Sequence, residues 1–287
     1  MISVYSHLVP FIVQIGTGGT GTYTTQHLAQ MLGTLGKKHV YVLADPDQIE
    51  RKNLKNQLFL EEEIGLPKAE VLAERYSQSF NLNIWSHTEK YIETVEDLKN
   101  LFVVDYASAL TSTNYYLPIL IGCVDNNFSR QIMNEFFEAV PSLIYIDAGN
   151  ESVQVPSDWL TRPMEQWTDE EKEAYANSGY SGQVVIGVKK DNEVLQEPLA
   201  QKFPDVLSDT DSIAPSEVSC SDLSASEPQR LITNKFASLA VLNAVQEIVY
   251  ESSITNHITH FHSKQGYMRS VQRQEKDDLT EILELLG

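Results

Sequence analysis

The sequence predicts a doubly wound α/β fold, a mostly parallel sheet with helices on both faces, and three observations carry that prediction. Short apolar runs alternate with segments of helical periodicity through the first 150 residues. Several of these runs end in glycine or aspartate, the polar tips that parallel strands deliver to one edge of a sheet. A glycine-rich turn, Gly16-Thr-Gly-Gly-Thr-Gly21, joins the first run to the first helical segment. A C-terminal extension of further strands and helices follows the regular part.

Taken in order, residues 11–15 form a short apolar run suited to a buried strand, and residues 23–35 read as a helix. A second strand at 39–44 closes a β-α-β unit. A helix over 68–80, a strand over 83–87 and an apolar strand over 115–124 come next, the last ending at Asp125-Asn126. A helix at 130–139 and a strand at 143–146 complete the first half, residues 1–150. Residues 151–287 make the second half of the same domain. There Thr168-Asp-Glu-Glu171 is a capping-box signature, and 183–188 is a strand. The stretch 208–228 is rich in Ser and Asp, buries little, and predicts a mobile loop. Pro228 suits the first turn of a long helix over 229–250. A strand near 258–262 and an acidic helix over 277–286 end the chain.

Composition narrows the function classes. With 40 acidic and 21 basic residues, the net charge of -19 repels polyanions, which argues against nonspecific nucleic-acid or anionic-lipid binding. The apolar stretch 11–15 is too short to span a bilayer, and residues 1–8 lack a basic leader, so the expectation is a cytoplasmic protein. Only two cysteines occur, Cys123 and Cys220, with no CxxC pair. No zinc is expected, and no disulfide framework.

Glycines in the turn permit a tight bend and let the backbone approach a phosphate at a helix N-terminus. Asp45, at the tip of the second strand, is placed to hydrogen-bond a ribose hydroxyl. This much says nucleotide, with NAD as good a guess as ATP, and an NAD(P)-dependent oxidoreductase stays open.

The next segment discriminates. Asp45-Pro-Asp-Gln-Ile-Glu-Arg-Lys-Asn-Leu-Lys-Asn-Gln57 resembles the DxDxVxxxNLxRQ segment of the ThiF/MoeB/ubiquitin-activating superfamily. Gly65-Leu-Pro-Lys-Ala69 resembles its GxPKA element, and Cys123-Val-Asp-Asn126 its C-[TV]-D-N element, with Arg130 and Asn134 at matching spacing. The resemblance implies a Rossmann-like domain that uses Mg-ATP to adenylate the C-terminal carboxylate of a small ubiquitin-like carrier protein. It implies nucleotide contacts at Gly16, Gly18, Gly19, Gly21, Asp45, Asp47, Asn53, Lys55, Gln57, Lys68 and Asn126. It makes Lys68 the cation over the phosphates and Asp125 the magnesium ligand, with Asp47 supporting the loop or the metal environment. It also implies a homodimer. The chemistry is consistent: a carboxylate and an α-phosphate repel, so catalysis is charge neutralisation and alignment.

Two departures stand out. Asn56 occupies the usual arginine position, leaving Lys55 or Arg51 to supply the charge, and an RYxRQ element is absent. A non-catalytic nucleotide- or carrier-binding scaffold is the reading these support, and adenylation of a short peptide C-terminus is the alternative substrate. Residues 145–150 and 182–187, Ser219-Cys-Ser221, and Pro228-Gln229 with Asn234 are similar to ThiF-like proteins of bacterial PRTRC-type gene clusters, which accompany ubiquitin-like and JAB-protease-like partners.

Cys220, in the Ser/Asp-rich stretch, is then the candidate to accept the carrier as a thioester, against an incidental loop thiol; Glu217 and Asp222 would raise its pKa. Cys123 reads as a core thiol. His257-Ile-Thr-His-Phe-His262 reads as an edge strand with exposed histidines in preference to a metal site. Trp159, Trp167 and the tyrosines of 175–180 suit a cover over the active site, a partner surface or plain packing.

Overall fold

A computed structural model of the chain describes residues 1–4, 7–104, 107–108, 115–208, 215–217 and 228–272. Its centre is a nine-stranded mixed sheet. Five strands run parallel, in the order β8 (Leu143–Asn150), β7 (Tyr116–Gly122), β2 (Val9–Ile15), β3 (Val40–Ala44), β4 (Ile84–His87). Strand β9 (Ser181–Lys190) then joins β8 antiparallel, followed by β12 (Asn256–His262) and β13 (Tyr267–Gln272), with β10 (Glu193–Gln196) folded back on β9. The sheet therefore runs without a break across residue 150.

Strand β2 shows why both faces are covered. Ile12 points to a cluster with Leu28, Leu32, Leu72 and Val241, the side of helices α1 (Gly19–Leu35), α2 (Lys68–Phe80) and α8 (Leu231–Gln246). Phe11 and Val13 point the other way, to Leu98, Phe102, Phe136 and Phe137 around α3 (Val95–Leu101) and α4 (Asn127–Ala139). A strand buried on both faces reads as a continuous apolar run. Among the smaller described pieces are a two-residue pairing of β1 (Ile2–Ser3) with β11 (Ser253–Ile254), an antiparallel pairing of β5 (Val103–Val104) with β6 (Ala107–Ser108), and helices α5 (Asp169–Asn177), α6 (Leu199–Lys202) and α7 (Asp205–Ser208). The predicted capping box is formed, with the Thr168 hydroxyl accepting from the Glu171 N–H.

Three expectations are corrected. Helix α1 starts at Gly19, four residues early, because its first turn is glycine and threonine and has no apolar periodicity. Helix α8 starts at Leu231, so Pro228 lies outside it. Arg230 stays extended, with its guanidinium 4.5 Å from the ring centre of Tyr175 and 4.9 Å from that of Tyr180. Strand β12 is interior, between β9 and β13, and is not an edge. Of its histidines only His260 is exposed; His257 is buried against the Glu197 carbonyl, and His262 stacks on Tyr180. No group of three metal-ligating side chains exists among the described residues. No described helix is long and apolar enough to cross a membrane. Cys220, most of 208–228 and the segment 277–286 lie outside the described residues.

Candidate active site

The site assembles where β2, β3 and β7 end. Gly16 turns the chain with φ +91°, and a Cβ there would sit 2.6 Å from the Cys123 carbonyl oxygen. A Cβ on Gly21 would sit 2.2 Å from the Gly16 oxygen, and one on Gly19 would lie 2.2 Å from Asn234 Nδ2 on α8. Gly18 alone of the four is open, its nearest neighbour being Gln57 Nε2 at 3.9 Å. Gly18 is also the residue before α1, where the unpaired N–H groups of the first turn begin. Gly16 and Gly21 are thus required by backbone contact, Gly19 lies against the side-chain amides of Asn234 and Gln229, and Gly18 leaves space for a ligand.

The loop is shaped from below by Gln14, a fully buried amide in β2. Its Nε2 donates to the carbonyls of Gly16 and Gly21 and to the Thr25 hydroxyl, and its Oε1 accepts from Tyr41 at 2.7 Å. From the side, the Asp45 carboxylate accepts from the Thr17 N–H and hydroxyl, both at 2.7 Å, and from the Asp47 N–H at 2.9 Å. Asp45 braces the loop. Burial pushes its carboxyl upward, opposed by Lys68 and the Thr17 donors.

Lys68 begins α2 and is itself buried, and its ammonium donates to Asp47 Oδ2 at 2.8 Å. The pairing follows from backbone register: the Lys68 N–H donates to the Asp47 carbonyl, the Ile49 N–H to the Leu66 carbonyl and the Gly65 N–H to the Ile49 carbonyl. Burial pushes the Lys68 ammonium down, but Asp45, Asp47 and Asp125 outweigh it and hold it above the ordinary lysine range. Burial likewise pushes Asp47 up, and Lys68, Tyr91 and Lys52 outweigh that and hold it low.

The remaining expected residues divide. Asp125 is exposed just past the tip of β7, and Asn126 spends its side-chain oxygen capping α4, accepting from the Ser129 N–H at 2.8 Å. Asn53 is buried and closes its own turn by accepting from the Glu50 N–H. Gln57 flanks Gly18 and has a buried Oε1 without a partner. Lys55 is exposed, and Arg51 pairs with Glu61 at 2.5 Å. Cys123 is buried, its thiol pushed up to about 12 by burial, which suits a core residue and not a nucleophile.

Arg130 lies under the β7 tip. It donates to Asp147 at 3.2 Å, to Asn127 at 3.1 Å and to the Val124 carbonyl at 2.8 Å, so a buried ion pair fixes the residue next to Asp125. Sequence reasoning missed Gln14, Tyr91, which bonds Asp47, and the contact of Asn150 with Thr20 and Asn234. A lone amide inside the apolar run Phe-Ile-Val-Gln-Ile was a signal for the first; Tyr91 had none.

Two shallow clefts, of about 420 Å³ beside Ser152–Pro156 and about 340 Å³ beside Lys37–Val40, lie away from the glycine loop.

The ThiF family model matches residues 10–281. No curated protein is significantly similar in sequence. Among solved structures, MccB from E. coli with succinimide shares 17% identity over 91% of this chain and 63% of its own, at a TM-score of 0.54. The microcin C7 biosynthetic enzyme MccB in complex with N-formylated MccA gives 16% identity, 91% and 64% coverage, and a TM-score of 0.56. PaaA gives 15% identity, 92% and 64% coverage, and a TM-score of 0.52. The chain thus spans a little under two thirds of the length of these structures, and the likeness is one of fold.

Proposed function

The chain belongs to the ThiF family, and from that premise we propose that it is an ATP-dependent adenylyltransferase acting on the C-terminal carboxylate of a small ubiquitin-like carrier protein. The observation that carries the reading is the chain of contacts that ties the glycine turn to a buried cation: Asp45 accepts from Thr17 of the turn and from the Asp47 N–H, and Asp47 holds the Lys68 ammonium, beside a turn in which Gly18 is open.

The residues fit the ligands. The open side of Gly18, beside the first turn of α1, suits a phosphate, and the unpartnered Gln57 Oε1 suits a donor from the ribose or the base. One exposed carboxylate, Asp125, fits magnesium, which keeps its waters and binds few protein ligands alongside substrate phosphates. Magnesium would supply charge neutralisation of the phosphates there.

The proposed reaction has a carboxylate oxygen of the carrier attack the α-phosphorus of ATP, with pyrophosphate leaving and an acyl-adenylate remaining. Lys68 offsets charge that accumulates as the two anions meet, a term worth on the order of 100-fold in rate for a single well-placed donor. Asp45 keeps the loop in shape and Asp47 keeps Lys68 in place. Cys220 would then displace AMP and carry the acyl group as a thioester, and a homodimer is the proposed assembly. A second reading, a short peptide as the substrate, is favoured by the likeness to MccB, a microcin C7 biosynthetic enzyme solved with N-formylated MccA.

The test is ATP–pyrophosphate exchange with candidate carriers and peptides, beside thermal shifts with Mg-ATP, ATP plus EDTA, and NAD(H). Ligand at 100 times its dissociation constant stabilises by about 2.7 kcal/mol. Magnesium-enhanced stabilisation by ATP with carrier-dependent exchange is the expected result; a shift with NAD(H) alone would sink the proposal. Cys220→Ala should retain exchange while losing any thiol-sensitive carrier adduct.

A further inference from the structure

Tyr91 belongs to no motif and lies in the loop after β4, yet its hydroxyl donates to Asp47 Oδ1. The other oxygen of that carboxylate, Oδ2, takes the Lys68 ammonium. We infer that Tyr91 is a positioning residue of this nucleotide site: by fixing the Asp47 carboxylate it sets where the Lys68 ammonium stands.

The argument is one of degrees of freedom. An aspartate side chain at a loop position turns about two torsions, and its partner lysine about four. Asp47 is a third exposed while Lys68 is almost wholly buried, so the looser member of the pair is the carboxylate. Backbone bonds already tie the two chain segments together, but they do not fix the side-chain torsions. A donor on Oδ1 from a third segment does. The charged and titratable groups facing Asp47 are Lys68 from α2, Lys52 from the short turn after β3, Asp45 from its own strand end and Tyr91 from the loop after β4. Lys52 is partly drawn off by Glu50 at 3.1 Å. Tyr91 is therefore the contact that orients Asp47 without competing for its charge. A lysine that neutralises a phosphate must be held within a fraction of an ångström, and the residue holding it governs turnover more than affinity.

This role rests on the adenylyltransferase reading, and its test also has a readout that needs no turnover. The full-length protein is labelled with limiting acetic anhydride, and acetylation of Lys68 is compared with that of exposed Lys55 by peptide mass spectrometry. Tyr91→Phe keeps the ring and removes the donor. Lys68 should acetylate about fivefold faster, the worth of one hydrogen bond. Asp47→Asn should do the same from the other side of the contact. Tyr91→Phe in the Asp47→Asn background should add nothing further, because the effect passes through Asp47. In the exchange assay, Tyr91→Phe should lower kcat about fivefold with the KM for ATP held within about twofold.

An unchanged Lys68 acetylation rate in Tyr91→Phe overturns the inference, as does an additive effect in the double variant, which would mark general loosening. A rise in KM with kcat intact overturns it too. Absence of exchange in the wild-type protein would instead strike the adenylyltransferase reading, while the labelling result would still decide the contact.

Discussion

The glycine loop and the β12–β13 hairpin lie on one sheet, and they are built in opposite ways. Around the loop nearly every group is used several times: Gln14 makes four hydrogen bonds, Asp45 accepts three, and three of four glycines are in contact with neighbouring atoms. Along β13 every residue is exposed, including Tyr267, Met268 and Val271. The first region is determined by polar geometry around buried groups, the second by sheet pairing with one hydroxyl contact, Thr259 to Ser270, and one ring contact, His262 to Tyr267, across it. A loop that must hold a backbone within reach of an anion needs redundancy, because each wrong torsion misplaces a donor. A hairpin that only extends a sheet does not.

The contrast breaks most visibly at Gly21. Gly21→Val places carbon where the Gly16 oxygen stands, and should cost about 3 kcal/mol in a urea melt. A loss below about 1 kcal/mol would mean the loop yields and the redundancy is illusory.

Lys68→Met comes next. Exchange activity should fall on the order of 100-fold. Stability should change with pH in a defined direction. Asp47 is held low by Lys68, so its contribution is present above the ordinary carboxylate range and is lost as pH falls through its lowered value. Lys68 is held high, so its contribution is present below the ordinary lysine range and is lost only as pH rises through its raised value. The gap between wild type and Lys68→Met should therefore be widest near neutrality and close below about pH 4. A gap that persists into acid would show the ion pair adds nothing.

Gln14→Leu should cost about 2 kcal/mol, since it takes the amide from the Tyr41 hydroxyl and the Gly16 carbonyl, while the Gly21 carbonyl keeps the Thr25 hydroxyl. At the small end, Val271→Ser on β13 should stay within about 0.5 kcal/mol of wild type. A loss of 2 kcal/mol there would mean the hairpin is covered in solution.

The same contrast explains what could be read from the sequence. Strands β2, β3 and β7 and helix α2 were legible because burial on both faces, or on one stripe, writes itself into apolar periodicity. Gly18, Lys68 and Asp125, the residues proposed to face a ligand, were singled out from motifs. Helix α3 and strand β13 were not, the first for its shortness and the second because an exposed hairpin carries no alternation. Strand β12 was legible as a strand, but its place in the sheet depends on the unforeseen β13, so His257 and His262 were expected at an exposed edge. Tyr91 was silent because its partner lies 44 positions away, a pairing that only the folded chain creates. The roles of Asn53 and Asn126 point the same way: each amide sits within the family-like elements, and each spends its oxygen on backbone.

Gln14 has a consequence for time as well as for shape. A ring of backbone clamped from beneath by one amide has no slack conformation to fold out of before it can receive a ligand. Nucleotide should therefore meet a finished receptor. Association in a stopped-flow trace should be a single exponential, its observed rate rising in a straight line with nucleotide concentration. In Gln14→Leu the trace should bend to a plateau set by the loop's own rearrangement.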